Sequence, residues 1–93
     1  MSAVRTGQAG TVESMDCLVT ISESGDARVI EIAGSGAVRF KGAIEATINS
    51  VLDDLNNPGI PSPKVTVQDN GALDVVLRAR VEAAYRRYAG GAL

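Results

Sequence analysis

Histidine is absent from this 93-residue chain, and cysteine occurs once, at Cys17. Together these gaps exclude an internal disulfide, a Cys/His zinc site and any Ser-His or Cys-His nucleophilic machine. Tryptophan is also missing. Phe40, Tyr85 and Tyr88 are the only aromatic residues, too few to build stacking platforms for single-stranded bases. An excess of one charge is missing as well: nine basic residues against eleven acidic ones leave a net charge of -2, so no long-range field draws in a phosphate backbone or an anionic bilayer. No apolar run approaches the roughly 18 residues needed to span a bilayer, and residues 1–10 hold no apolar stretch that could form the core of a signal peptide. The expected location is the cytoplasm, with no nucleic-acid and no membrane partner.

What remains is an ordinary folding composition. The apolar share of 45% is too high for a chain disordered throughout, and the length suits one core and one domain. Residues 11–22 are rich in β-formers, with Cys17, Val19 and Ile21 alternating against Leu18, Thr20 and Ser22. Turn chemistry at Glu23-Ser24-Gly25-Asp26 and a second β-rich run over 27–33 predict an antiparallel hairpin. After Gly34-Ser35-Gly36 the period changes: Phe40, Ile44, Ile48, Val51, Leu52 and Leu55 fall three or four apart, the mark of an amphipathic helix. Asn56-Asn57-Pro58-Gly59 should stop it. Val65 and Val67 place a third strand over 64–68, and Asp69-Asn70-Gly71 turns the chain. Leu73, Leu77, Val81, Ala84, Tyr85 and Tyr88 then stripe a second helix ended by Gly90-Gly91.

The expected fold is therefore α+β, a small single domain of order β-β-α-β-α. Two helices pack on one face of a mixed sheet, whose last strand runs parallel to one strand of the hairpin. The predicted core joins Ile44, Ile48, Val51, Leu55, Leu73, Leu77 and Val81 to Val19, Ile21, Val65 and Val67. Residues 1–9 carry no apolar period and read as a flexible segment ahead of a domain over 10–93.

Few residues offer chemistry. The Gly34-Ser35-Gly36 cluster lacks the remainder of a phosphate-binding loop and reads as a turn. Cys17, among apolar neighbours and with no basic residue near it in sequence, reads as a buried structural thiol. Asp53 and Asp54 read as a solvated helix face. Four of the nine basic residues, Arg78, Arg80, Arg86 and Arg87, gather on the second helix. They can serve as i,i+4 partners of Asp74 and Glu82, or as a docking face for an acidic partner or a phosphate group, with Arg78 and Arg80 the candidates for that contact.

Physics alone does not single out Ser14, a serine between two acids. The stretch Ala9-Gly10-Thr11-Val12-Glu13-Ser14-Met15-Asp16, however, resembles the A-G-T-x-E-S-x-D signature of the citrate lyase acyl carrier protein (gamma subunit) family. Asp69-Asn70-Gly71-Ala72-Leu73-Asp74-Val75-Val76-Leu77-Arg78-Ala79-Arg80-Val81-Glu82-Ala83 resembles the same family's D-x-G-A-L-D-x-x-L-R-A-R-x-E-A segment, and Phe40-Lys41-Gly42-Ala43-Ile44 lies between. The resemblance spans residues 9–87, departing at Lys41 and in the proline-rich connection from Pro58 to Pro63.

It implies a non-catalytic carrier subunit of a multi-subunit lyase. Ser14 would be the attachment site of 2'-(5''-phosphoribosyl)-3'-dephospho-coenzyme A, whose thiol carries acetyl and citryl thioesters during cleavage of citrate to acetate and oxaloacetate. The implied partners are the citrate lyase alpha and beta subunits, a prosthetic-group transferase and an acetylating ligase. Glu13 and Asp16 would present the serine to a basic transferase surface. The alternatives are a malonate decarboxylase-type carrier, which bears a similar group, and a non-carrier regulatory or scaffold module. An absence of histidine and metal ligands suits a carrier, because bond breaking then belongs to other subunits.

Overall fold

The computed structural model describes residues 5–55 and 57–90. Four strands, β1 (Thr6–Gly10), β2 (Cys17–Gly25), β3 (Val29–Ala33) and β4 (Ser62–Asp69), and two helices, α1 (Ala37–Asp54) and α2 (Asp74–Ala89), follow in the order β1-β2-β3-α1-β4-α2. The α+β class, the mixed sheet and the placement of both helices on one face are as the sequence predicts. Val19 and Ile21 from β2, Val65 and Val67 from β4, Ile48 from α1, and Val81 and Tyr88 from α2 are completely buried between sheet and helices. Each such aliphatic side chain contributes about 1.5–3 kcal/mol on burial. The other face of the sheet is polar, with Gln8 donating to Thr20 Oγ1 across β1 and β2 at 2.9 Å.

Three features differ from the expectation. The hairpin predicted from residues 11–22 and 27–33 does not form: the sheet order is β1-β2-β4-β3, so β4 lies between the two strands. It runs antiparallel to β2 and parallel to β3, Val67 standing between Val19 and Ile32. Local turn chemistry at Glu23-Ser24-Gly25-Asp26 favours a hairpin, but insertion gives both backbone edges of β4 a ladder and buries its two valines under both helices. On β3 only Ile30 and Ile32 are half-buried and Val29, Glu31 and Ala33 are exposed, a pattern that suits an edge.

Second, the true hairpin is β1 with β2, joined by the 11–16 loop, whose residues were expected to be strand. Residues 6–9, expected to be flexible, form most of β1; residues 1–4 lie outside the described part. The stretch Thr-Gly-Gln-Ala-Gly holds a single β-former, Thr6. Its small inward residues are instead the imprint of α2: a Cβ on Gly7 would lie 2.1 Å from the Ala84 carbonyl oxygen and 2.5 Å from the Tyr88 nitrogen. Only glycine lets the helix backbone come so close. Arg5 then caps the helix, its Nη1 donating to the Ala89 carbonyl at 2.8 Å, where the last carbonyls lack partners and the helix dipole favours a cation.

Third, Leu73 and Phe40 leave the predicted apolar stripes and stay 59% and 55% exposed. Leu73 is the extended N-cap of α2 and so precedes the helical register, while Phe40 sits in the first turn of α1, beyond the sheet. The other expected core residues are buried, Leu55 partly. Helix α1 ends at Asp54; the expected stop falls partly on residue 56, and that of α2 partly on residue 91, both outside the described residues.

Candidate functional site

The 11–16 loop begins where Gly10, at φ +99°, takes a left-handed conformation, and a Cβ there would stand 1.9 Å from the Cys17 carbonyl oxygen. Both facts require glycine. Thr11 N–H closes the hairpin on that same Cys17 carbonyl at 3.1 Å. At its tip, Asp16 N–H donates to the Glu13 carbonyl at 3.2 Å, so Glu13 to Asp16 form a turn with Ser14 at its first corner and Met15, at φ +66°, at its second. Positive φ at that second corner is the pattern of a type II turn, which ordinarily takes glycine or asparagine. A methionine there carries about 1–2 kcal/mol of backbone strain.

That strained corner persists because its neighbours hold it. Met15 N–H donates to the Asn70 carbonyl at 2.7 Å, and Asn70 N–H donates to the Asp16 carbonyl at 3.0 Å. The Asn70 amide side chain also donates to the Val12 carbonyl. Asp16 binds the rest: its carboxylate accepts Thr11 Oγ1 at 2.8 Å, Cys17 N–H at 2.7 Å, and a two-pronged contact from Arg80, Nε at 3.1 Å and Nη2 at 3.0 Å. The Arg80 bond above all, then those of Thr11 and the Cys17 amide, lower the Asp16 pKa to about 2. None of these bonds uses the Ser14 hydroxyl, which is exposed and has no hydrogen-bond partner among the described residues.

The two arginines singled out from the sequence go different ways. Arg80 reaches back from α2 to the loop, whereas Arg78 pairs with Asp74 on its own helix at 2.7 Å and does not approach Ser14's loop. Asp16, expected to face outward with Glu13, is turned inward against Arg80. Asn70 read as a turn residue; its part in the loop comes from its position directly beside Asp16 across β2 and β4, and only its place in the second family motif could have signalled it. Cys17 is wholly buried and burial pushes its thiol up to about 11, in keeping with a structural role. The Gly34-Ser35-Gly36 segment is the turn from β3 into α1, with Gly36 N–H on the Asp69 carbonyl at 3.1 Å.

The loop thus presents an exposed hydroxyl on an anchored turn, beside a carboxylate paired with Arg80. Residues 4–88 match the model of a family described as "ACP: Malonate decarboxylase delta subunit (MdcD)". Among curated relatives, the citrate lyase acyl carrier protein of Haemophilus influenzae is 45% identical over 87 residues, covering 94% of this chain and 87% of the relative. Those of Leuconostoc citreum and Treponema denticola are 37% and 36% identical over the same share of this chain, covering 87% and 95% of their own. A chain of the Pseudomonas malonate decarboxylase hetero-tetramer, solved in complex with malonate, shares the fold at a TM-score of 0.58 and 23% identity, over 94% of this chain and 89% of that one. The chain belongs to this family of acyl carrier proteins, and within it to the citrate lyase acyl carrier proteins, the gamma subunits.

Proposed function

We propose that the chain is the acyl carrier subunit of a citrate lyase and that Ser14 Oγ is the point at which a phosphoribosyl-dephospho-coenzyme A group is joined through a phosphodiester. One observation supports this most: within the matched motif, the loop immobilises Thr11, Met15 and Asp16 and leaves the Ser14 hydroxyl exposed and unengaged. The residues fit such a group. A phosphodiester beside a bare Asp16 carboxylate would meet like charge, and Arg80 neutralises that carboxylate with two hydrogen bonds. When bound, the group would supply the thiol on which acetyl and citryl are carried as thioesters.

The chain's own residues hold and present. The loop fixes where the tether begins, so that two active sites of a surrounding complex, on separate alpha and beta subunits, see the thiol at a high local concentration. Arg80 acts as a positioning residue through Asp16, and Arg78, half-exposed on α2, is the arginine free to face a partner or a phosphate once it parts from Asp74. A malonate decarboxylase-type carrier is the second reading, favoured by the description of the matched family; identities of 36–45% to citrate lyase carriers favour the first.

Co-expression with citrate lyase maturation enzymes, followed by intact mass, tests the proposal. The unaltered chain gains the mass of the group and Ser14→Ala gains none. Loaded chain then restores citrate cleavage to alpha and beta subunits. A mass gain retained in Ser14→Ala, or the group mapped to Ser22, Ser24 or Ser35, would overturn the assignment. Activity restored only to malonate decarboxylase subunits would select the second reading.

A further inference from the structure

A cavity of about 500 Å³ opens between the first turns of α1 and α2, and no step described so far uses it. Its wall is mostly apolar: Phe40, Ala43 and Ile44 from α1 face Ala72, Leu73 and Leu77 from the start of α2. The two largest side chains at its mouth, Phe40 and Leu73, are more than half exposed, although this size and lining are those of a small-molecule pocket. Gly71 also lines it, and a Cβ on Gly71 would lie 3.9 Å from the backbone of Met15. Asn70, the residue before Gly71, accepts the Met15 N–H at 2.7 Å, so the cavity rim lies one residue from the contact that holds Ser14's neighbour.

Its polar inventory selects among ligands. Asp69, Asp74, Ser35 and Thr47 line the cavity and no basic residue does; Asp69 is buried with its carboxylate accepting the Gly71 and Ala72 amides, and Asp74 accepts the Thr47 hydroxyl and pairs with Arg78. The lining supplies no cation, and its exposed charge, Asp74, is already paired with Arg78, so nothing in the interior draws in a pyrophosphate or a citryl end. A neutral, flat heteroaromatic ring bearing an N–H₂ donor does suit it, with the Phe40 ring to stack on and the exposed Asp74 carboxylate, whose oxygens keep a second lone pair each, to accept. Arg39 lies over Phe40, 5.5 Å from the ring centroid, outside the cavity, where it can meet phosphates that remain in solvent.

We infer that this cavity seats the adenine ring of the group proposed on Ser14, leaving the thiol arm free to move. The inference rests on the assignment of Ser14. Within that group the adenosine follows directly on the phosphoribosyl unit nearest the serine, and the thiol lies at the far end. Seating the near part shortens and aims the tether without holding back the end that must reach two active sites.

Titration of the unmodified, isotope-labelled chain with adenosine, and separately with pantetheine, tests this by NMR. Adenosine shifts the backbone amide signals of Phe40, Ala43, Leu73 and Leu77 saturably and pantetheine does not. Phe40→Ala, a change at an exposed side chain, weakens adenosine binding about fivefold or more, the loss of one base-aromatic stack. Leu73→Ser, also at the mouth, weakens it as well. Shifts produced by pantetheine in place of adenosine, an absence of saturable shifts with adenosine, or unchanged affinity in both variants would each overturn the inference. Ser14→Ala binds adenosine as the unaltered chain does, so a group found on another serine refutes the attachment without touching this result.

Discussion

The sequence Glu-Ser-x-Asp occurs twice, as Glu13-Ser14-Met15-Asp16 ahead of β2 and as Glu23-Ser24-Gly25-Asp26 at its far end. In both, the third residue has positive φ, +66° at Met15 and +101° at Gly25. The surroundings differ. Asp16 is clamped by Arg80 from α2, and Asn70 from the end of β4 holds the turn, whereas the Ser24 hydroxyl donates to the carbonyl of its own neighbour Ala27 and a Cβ on Gly25 would meet nothing within 4 Å. The same four-residue chemistry thus gives a stiff platform with a free hydroxyl at one end of a strand and an ordinary turn with a spent hydroxyl at the other. Tertiary anchoring, not the local motif, makes the difference.

The largest expected effect is all-or-none. Ser14→Ala abolishes the mass gain on maturation and Ser24→Ala leaves it complete; modification passing to Ser24 in the first variant would erase the distinction between the two turns. Next comes the anchor. Arg80→Gln leaves Ser14 in place but frees Asp16, and the initial rate of modification falls by up to about a hundredfold, the scale set by misplacing a reacting group. Circular dichroism of that variant stays that of the native fold, and an unchanged rate would mean that the clamp plays no part.

Backbone strain offers a finer test. Gly10→Ala meets both a left-handed φ and the Cys17 carbonyl, and should cost about 1–3 kcal/mol or more in chemical denaturation. Gly25→Ala meets the φ alone and should cost about 1–2 kcal/mol. Met15→Gly removes strain and raises stability by up to about 1 kcal/mol, after the entropy glycine adds to the unfolded chain; a loss of stability would show that the Met15 side chain has a use that its exposure conceals.

The smallest effect is that of acid. The Asp16 pKa is depressed to about 2 from an ordinary 3.8, so its contribution is fully present above pH 4 and fades as pH falls toward 2. Amide NMR signals of residues 11–16 should keep their native positions down to about pH 3 and move only below it. In Arg80→Gln, the same signals should move nearer pH 4. Coincident midpoints in the two proteins would break the link between Asp16 and Arg80.

Much of the fold was legible. The three-and-four spacing of Ile44, Ile48 and Val51 and of Leu77, Val81, Ala84 and Tyr88 marks both helices, because a helix buries one stripe whatever it packs against. Alternation at Cys17, Val19 and Ile21, and at Val65 and Val67, marks two strands for the same reason. Strand β1 escaped notice because its inward positions, Gly7 and Ala9, are small to suit the backbone of α2, a partner more than seventy residues away in the chain. The misplaced hairpin has a similar origin: a turn between β2 and β3 is visible locally, and the strand that separates them is not.

At the site, Ser14 stands out only through the family motif and the arginines only through their concentration on one helix. Neither the Arg80 contact with Asp16 nor the cavity between α1 and α2 has any local sign. Sequence by itself determined what depends on neighbours along the chain: the helical stripes, the alternating strands, the glycine turns, and an absence of histidine that rules out histidine-based catalysis. Tertiary structure alone decided strand order, the inward turn of Asp16 and the facing of Phe40 and Leu73 across a cavity. Each of these is a meeting of residues brought together by burial of a shared core, and hydrophobic burial has no direction from which such partners could be read in advance.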